Sequence, residues 1–593
     1  MPADRQSERD EWRLGLEPGE HHEREAVRVV ALDDPVREWL ERPVMLITVE
    51  RLYWMIIALY AVASRGLMLG TRPLNPTEAR QALAAFQTMH VGLTPGPPAA
   101  WIQLLDAAML GAFGASDLTA RLLFAIAGVA LVLIALALRP FIGRTGALAM
   151  ATMVVLSPSI TYFSRSAATQ VPALLAALAV LALFAAIARH TTVGRAIALG
   201  CAIGLALSAD AQNLVVGASF VLALAMRGLW RVAAGEEAGL SIRIWWQQYS
   251  RLVSIVVIFA ALFWVVMGSG FFSQPFFSAV VGSLRANWTA VGKPGPARDA
   301  FLASFVLYEF LIAAAALLGV FAVLTNFGGA RSPLAVFSLI WTILAAVFFI
   351  VTPAFSPAWI VEILIPAILL GAVGIEALSR TRSWNLVFYP LAVLGLVTLN
   401  VQIIANFTIV APDPSEALWA RHALLFWSEP ATAAGVRESL RTLISSGPVP
   451  VRSTWIAGDA PVLRWYLRDL RPAESAADAD LIAGLADAPA GWPIAQRSSF
   501  DLQSWWRPDL RDLSIRQALR FVLLGRSWQP LESNEVTVLS RIANRSTPTT
   551  IYVPPAPAST AEVSSTAPTT APAAPTTGAP TAAPSIAIMQ PTP

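Results

Sequence analysis

The first stretch of this chain able to do chemistry reads Leu74-Asn75-Pro76-Thr77-Glu78-Ala79-Arg80-Gln81-Ala82. Pro76 ahead of a helix-forming run predicts a helix start, with Glu78 in its first turn. A carboxylate there can accept a proton, or it can simply sit where the helix dipole favours negative charge. Further along, the run from Ser157 through Tyr162 ends at Arg165, and Arg121 opens another apolar run. Each guanidinium could grip a phosphate through its fork, or snorkel to a lipid head group. Residues 270–300 gather Phe271, Phe272, Phe276 and Phe277 with Arg285, Trp288, Lys293 and Arg298. Such a mixture suits an interfacial loop, and equally an apolar groove with cations for a lipid phosphate. Asp210, Gln212 and Asn213 lie between two short apolar runs, and Glu309 and Glu362 lie near the ends of others. Carboxylates inside a membrane default to function, less so towards its surface.

Other chemistries are excluded or unsupported. The histidines, at positions 21, 22, 90, 190 and 422, are scattered, so their spacing builds no metal site. No cofactor is expected, and nothing in the sequence calls for a divalent cation. Cys201 is the only cysteine, which removes intrachain disulfides and thiolate pairs. There is no Walker-type loop and no Gly-rich strand–turn–helix, which argues against ATP-driven or nucleotide-sugar mechanisms. A net charge of +3 gives no footprint for nucleic acid.

The elements that must position these residues are mostly membrane helices. Of the 593 residues, 56% are hydrophobic and 14% charged, against roughly 25% charged in soluble domains. Apolar runs fit for spans of ~20 residues lie near 51–69, 118–138, 145–163, 169–188, 194–209, 212–227, 252–269, 301–325, 333–352, 358–378 and 385–406. The run 98–114 holds Asp106 and is read as a helix at the membrane face or entering part-way. With a cytoplasmic N-terminus, the inner loops then carry Arg139, Arg144, Arg189, Arg195, Arg227, Arg231, Arg243, Arg251, Arg331, Arg380 and Arg382, as the positive-inside rule requires. Counting 98–114 as a span would move most of them outside.

The expected organisation is a charged cytoplasmic leader at 1–43, a membrane domain at 44–407 and an extracytoplasmic α/β domain at 408–545. A disordered Thr/Pro/Ala-rich tail follows at 546–593. The fold class is thus mainly α, a polytopic membrane protein of about eleven helices, expected in the plasma membrane.

Several segments fit one pattern in order: the acidic helix after the first span, Pro97-Pro98, Phe113 through Asp117 and Arg121 to Leu122, Phe141-Ile142-Gly143-Arg144, and Ser157-Pro158 through Tyr162 to Arg165. Trp465-Tyr466-Leu467-Arg468-Asp469 and Ser504-Trp505-Trp506-Arg507-Pro508 continue it. The chain resembles glycosyltransferase family 39 of the GT-C superfamily, the dolichyl-phosphate-mannose-protein mannosyltransferase-like branch, and within it the flippase-activity-associated group. The resemblance implies transfer of a mannosyl or other hexosyl unit from a polyprenyl-phosphate sugar. The acceptor, a glycan, lipid or protein, would be met on the extracytoplasmic face of the bilayer. It implies Glu78 as the proton acceptor and Arg121, Arg165, Arg285 and Lys293 as phosphate ligands. Tyr162, Trp288, Asp210 and Trp359 become candidate acceptor or lipid contacts. The group's acidic pair is usually Asp-Glu, and here Thr77 occupies the aspartate position. The lysine expected beside Pro357 and Trp359 is missing too. A non-catalytic relative that assists lipid-linked sugar handling or flipping is the alternative.

Overall fold

The computed structural model describes residues 43–93, 99–209, 213–226, 238–269, 308–329, 332–351, 360–381, 384–407, 431–445, 451–505, 513–524 and 532–541, with short gaps inside these ranges. The leader, Asp210, Arg285, Trp288, Lys293, Trp359 and the tail lie outside the described residues.

A short hairpin, β1 (Pro43–Val44) with β2 (Ile47–Thr48), leads into α1 (Val49–Gly66). Then come α2 (Pro76–Val91), α3 (Ala100–Phe113), α4 (Thr119–Ile142), α5 (Arg144–Leu156), α6 (Pro158–Ser164), α7 (Gln170–Arg189), α8 (Val193–Leu207) and α9 (Ala238–Gly268). The apolar helices end with α10 (Phe310–Thr325), α11 (Pro333–Val351), α12 (Ile360–Ser379) and α13 (Trp384–Phe407). The described parts of the expected runs are helical, with 145–163 divided between α5 and α6 and with 212–227 and 301–325 only partly described. Among the described residues five are long and apolar enough to cross a membrane, or six if the bent pair α5–α6 is one span. Helix α1 carries Glu50, Arg51 and Arg65, while α8 and α10 are only 15 and 16 residues long. Helix α3, with 14 residues, is too short to cross ~30 Å of hydrocarbon.

At the centre of the helical part lies α12, buried along nearly its whole length. Its approach to α10 depends on missing side chains: a Cβ on Gly374 would stand 2.7 Å from the Cα of Gly319. Small residues that let helix backbones touch are how helices associate without a hydrophobic drive between them.

The break between α5 and α6 places the site. Ser157-Pro158 bends the pair by 66°, because proline at the start of α6 has no N–H for the preceding turn. Backbone groups freed there need partners in an apolar interior. The carbonyls of Val154 and Val155 accept from Arg65, at 3.0 and 3.3 Å, and Val155 also accepts from Gln402. On the other side of the break, Glu309 accepts from Ser157 Oγ at 2.8 Å and from the Ser159 N–H at 3.0 Å. A cation thus closes the C-terminal end of α5 and an anion the N-terminal end of α6, the signs the two helix dipoles favour. A Cβ on Gly128 of α4 would collide with Ser164 of α6. Gly128→Val is accordingly expected to cost roughly 1–3 kcal/mol as overpacking, read as a lower thermal midpoint of the purified protein.

The remaining described residues build a six-stranded mixed sheet, ordered β3 (Ala431–Thr432), β7 (Gln496–Trp505), β8 (Glu532–Ser540), β6 (Leu481–Ala483), β4 (Ser453–Ile456) and β5 (Arg471–Pro472). Strands β4, β5 and β6 pair in parallel and the other pairings are antiparallel. Helices α14 (Val436–Ser445) and α15 (Pro461–Tyr466) accompany it, while α16 (Ile515–Leu524) packs on α13, where Asn400 donates to the carbonyls of Val522 and Leu523 and Phe521 joins the helical core. Amphipathic α14 buries Val436, Leu440 and Leu443 and turns its arginines away from that core.

Candidate functional site

Helix α2 begins with a capping box. The Asn75 side chain accepts from the Glu78 N–H, and Glu78 Oε2 accepts from the Asn75 N–H, both at 2.8 Å. The side chain of Glu78 turns inward and is 1% exposed, while Thr77 beside it is exposed. From α4, Arg121 meets Glu78 with two parallel hydrogen bonds of 2.8 Å, Nε to Oε1 and Nη2 to Oε2. Its other N–H groups go to the carbonyls of Leu69, Arg72 and Pro73. All five guanidinium donors are therefore used inside the protein. Arg72 approaches Glu78 Oε1 at 3.4 Å. Burial alone would raise the Glu78 carboxyl, but Arg121 and Arg72, with hydrogen bonds from Arg121 and the Asn75 N–H, hold it down to about 2.

Arg165 closes α6 and donates to the carbonyls of Ser64 and Leu67, each at 2.8 Å. Arg65, Arg72 and Arg121 stand close enough to repel it. Arg72 lies over the Tyr162 ring at 4.5 Å and donates to Ser166 Oγ at 3.2 Å. The structure thus brings Glu78, Arg121, Arg165 and Tyr162 together, as the sequence expected of one site, and adds Arg72. With one-fifth of its side chain exposed, Arg72 is the most accessible of these guanidiniums. The signal for it would have been an arginine in a loop expected on the outer face, where positive charge is scarce.

Two segments singled out in the sequence also meet. Asp117 accepts from Trp465 Nε1 at 2.8 Å, Tyr466 Oη at 2.9 Å and Arg437 at 3.2 Å. Tyr466 Oη in turn accepts from the Leu74 N–H at 2.9 Å, and the Leu74 carbonyl accepts from Thr432 Oγ1. Both backbone groups of Leu74 are therefore held by the sheet-bearing part, which fixes the loop carrying Arg72 and Asn75.

One acid has no such company. Asp106 of α3 is fully buried, and neither of its oxygens has a hydrogen-bond partner. Burial pushes its carboxyl up to about 8, and Gln81 of α2 opposes that only in part. Its helix is tied to α2 through Gln103, which donates to the Ala84 carbonyl and to Thr88 Oγ1. In the sequence Asp106 was visible only as an interruption of an apolar run.

With this geometry in hand, the architecture can be set beside known structures. The crystal structure of ArnT from Cupriavidus metallidurans bound to undecaprenyl phosphate matches with a TM-score of 0.52 and 15% identity, over 83% of this chain and 98% of that one. The fold is the GT-C fold. The apo state of the same ArnT gives a TM-score of 0.50 at 16% identity and the same coverage. The Archaeoglobus fulgidus oligosaccharyltransferase in its apo form is a looser match, with a TM-score of 0.41 and 14% identity over 71% of this chain and 64% of that one. No protein-family model matches the chain, and no curated protein does. At these identities the GT-C likeness speaks for the fold alone.

Proposed function

We propose that this chain is a membrane glycosyltransferase that takes a hexosyl unit, mannosyl by its family resemblance, from a polyprenyl-phosphate sugar on the extracytoplasmic face. The observation that carries the reading is the excess of arginine. Arg65, Arg72, Arg121 and Arg165 crowd one another, and among the described residues Glu78 pairs with Arg72 and Arg121 while Asp117 is engaged by Arg437. Buried like charges repel strongly, and an anionic phosphate would compensate them. The ArnT structure of the same fold is described as bound to undecaprenyl phosphate.

Within this reading the arginines divide the work. Arg121 has no donor to spare, so it contributes its field and holds the loop; Arg165 likewise braces α1. Arg72 makes the direct phosphate contact, joined by Arg285 and Lys293 as expected from the sequence. Charge on the leaving phosphate is stabilised by these cations. Glu78 serves as the clamp that aims Arg121 and Arg72. Acting as proton acceptor would require its carboxylate to let go of Arg121. That saturation, with Thr77 beside it, favours a second reading: a GT-C relative that holds lipid-linked sugar without transferring it.

One experiment separates the two. Arg72→Ala is expected to weaken binding of undecaprenyl phosphate by the folded protein at least tenfold, with a lower thermal midpoint because its contacts with Glu78, Ser166 and Tyr162 are lost too; equal binding would sink the phosphate assignment. Radiolabelled polyprenyl-phosphate hexose, offered to the wild-type protein with a panel of acceptors, should yield labelled product. Binding without any transfer would move the conclusion to the accessory reading.

A further inference from the structure

Beside the arginine cluster lies a cavity of about 490 Å³ between α14 and the 115–118 turn before α4. That is within the size range of small-molecule sites. Its wall is built by helical spacing. Arg437, Arg441 and Ser445 recur every four residues along α14 and all line it, as does Arg468 from the end of α15. Arg437 is held by Asp117 at the back of the cavity. Arg441 is exposed, and among the described residues its guanidinium has neither an ion pair nor a hydrogen bond. Arg468 stacks on Trp465 at 4.0 Å and donates to two carbonyls, yet its buried Nε–H has no partner. Leu118 and Ile444 give the same cavity an apolar side.

We propose that this cavity binds an anionic sugar, its carboxylate or phosphate on Arg441 beside the Arg468 guanidinium and its C–H face on Leu118 and Ile444. Bound there, such a sugar would be the acceptor of the transfer proposed above, and only this use of the site rests on that reading. The binding itself does not. Gly70 lines the cavity while the neighbouring Leu69 carbonyl holds Arg121, so an acceptor here sits one residue from the phosphate-binding loop. With Asp117 engaged by Arg437, the remaining charges of the wall are Arg441 and Arg468 against Asp469, a net positive that selects the anion.

Binding of glucuronate, glucose 6-phosphate, glucose and inorganic phosphate to the full-length protein in nanodiscs tests this without any lipid donor, so the result stands whether or not the chain transfers sugar. At least one of the two anionic sugars should bind ten times more tightly than both glucose and inorganic phosphate. Which one binds names the anion. Arg441→Glu, an exposed change that leaves α14 intact, should weaken that binding at least tenfold. Glucose binding as well as the anionic sugars would overturn the proposal, as would equal binding by Arg441→Glu or no binding at all. Inorganic phosphate matching glucose 6-phosphate would reduce the cavity to an ion site and remove the sugar.

Discussion

Glu78→Gln is expected to lower the thermal midpoint of the purified protein by several degrees, in addition to any loss of transfer. Breaking a buried ion pair by removing one partner costs about 3–5 kcal/mol, and Glu78 is 1% exposed with Arg121 equally buried. The pH dependence identifies the cause. Glu78 ordinarily titrates at 4.5 and here lies near 2, so its contribution is fully present above pH 4.5 and is lost as pH falls towards 2. Wild-type protein should therefore lose stability on acidification across that window, and Glu78→Gln should lose less of it. Arg121→Met should be at least as damaging, because the carbonyls of Leu69, Arg72 and Pro73 lose their donor as well. For that reason Arg121→Met combined with Glu78→Leu should stay destabilised, although replacing a whole buried pair by apolar residues is often neutral. A Glu78→Gln protein that melts like wild type but no longer transfers sugar would sink the clamp and restore the proton acceptor.

The local half of this site was legible in the sequence and the distant half was not. Pro76 and the residues after it announced the start of α2, and the structure adds Asn75 as the cap that closes the box with Glu78. Helix signals act within a turn, so they can place Glu78 in a first turn. They cannot say that Arg121, 43 residues later, takes both of its oxygens. Hydropathy placed α4, α7, α12 and α13 because a span must be apolar throughout. It could not separate α5 from α6, since the Ser157-Pro158 break is satisfied by Arg65 and Glu309, which lie far off in the sequence. The family pattern named Trp465 to Asp469 without a reason. The contact of Trp465 and Tyr466 with Asp117 supplies one, and that contact is invisible to any local rule. Short strands such as β4 and β6 lie inside the α/β domain expected at 408–545. The mixed order of the sheet depends on pairings that local runs do not encode.

Asp106→Asn is expected to stabilise the protein, and increasingly so as pH rises. The carboxyl ordinarily titrates near 3.8 and in the folded chain near 8. Below pH 3.8 it is protonated in both states and contributes no pH dependence. Between 3.8 and 8 the unfolded chain sheds the proton while the folded chain retains it, so stability falls with pH by roughly 1.4 kcal/mol per unit. Above 8 the loss levels off. Asparagine keeps the shape and stays neutral, so the variant should match wild type near pH 4 and exceed it by several kcal/mol at pH 8, to order of magnitude. Thermal midpoints of both proteins between pH 4 and 9 test this, and parallel curves would show that Asp106 does not titrate as its burial demands. The direction is opposite to that of Glu78, and the physical difference is small: both acids are buried, but Glu78 has two guanidiniums and a backbone N–H, while Asp106 has only the neutral Gln81 amide to lower it. Because Gln103 ties α3 to α2, ionising Asp106 loads the same hairpin that carries Glu78. Alkali should therefore loosen the α2–α3 hairpin first, and amide hydrogen exchange in residues 79–91 should accelerate above pH 8 in wild type but not in Asp106→Asn.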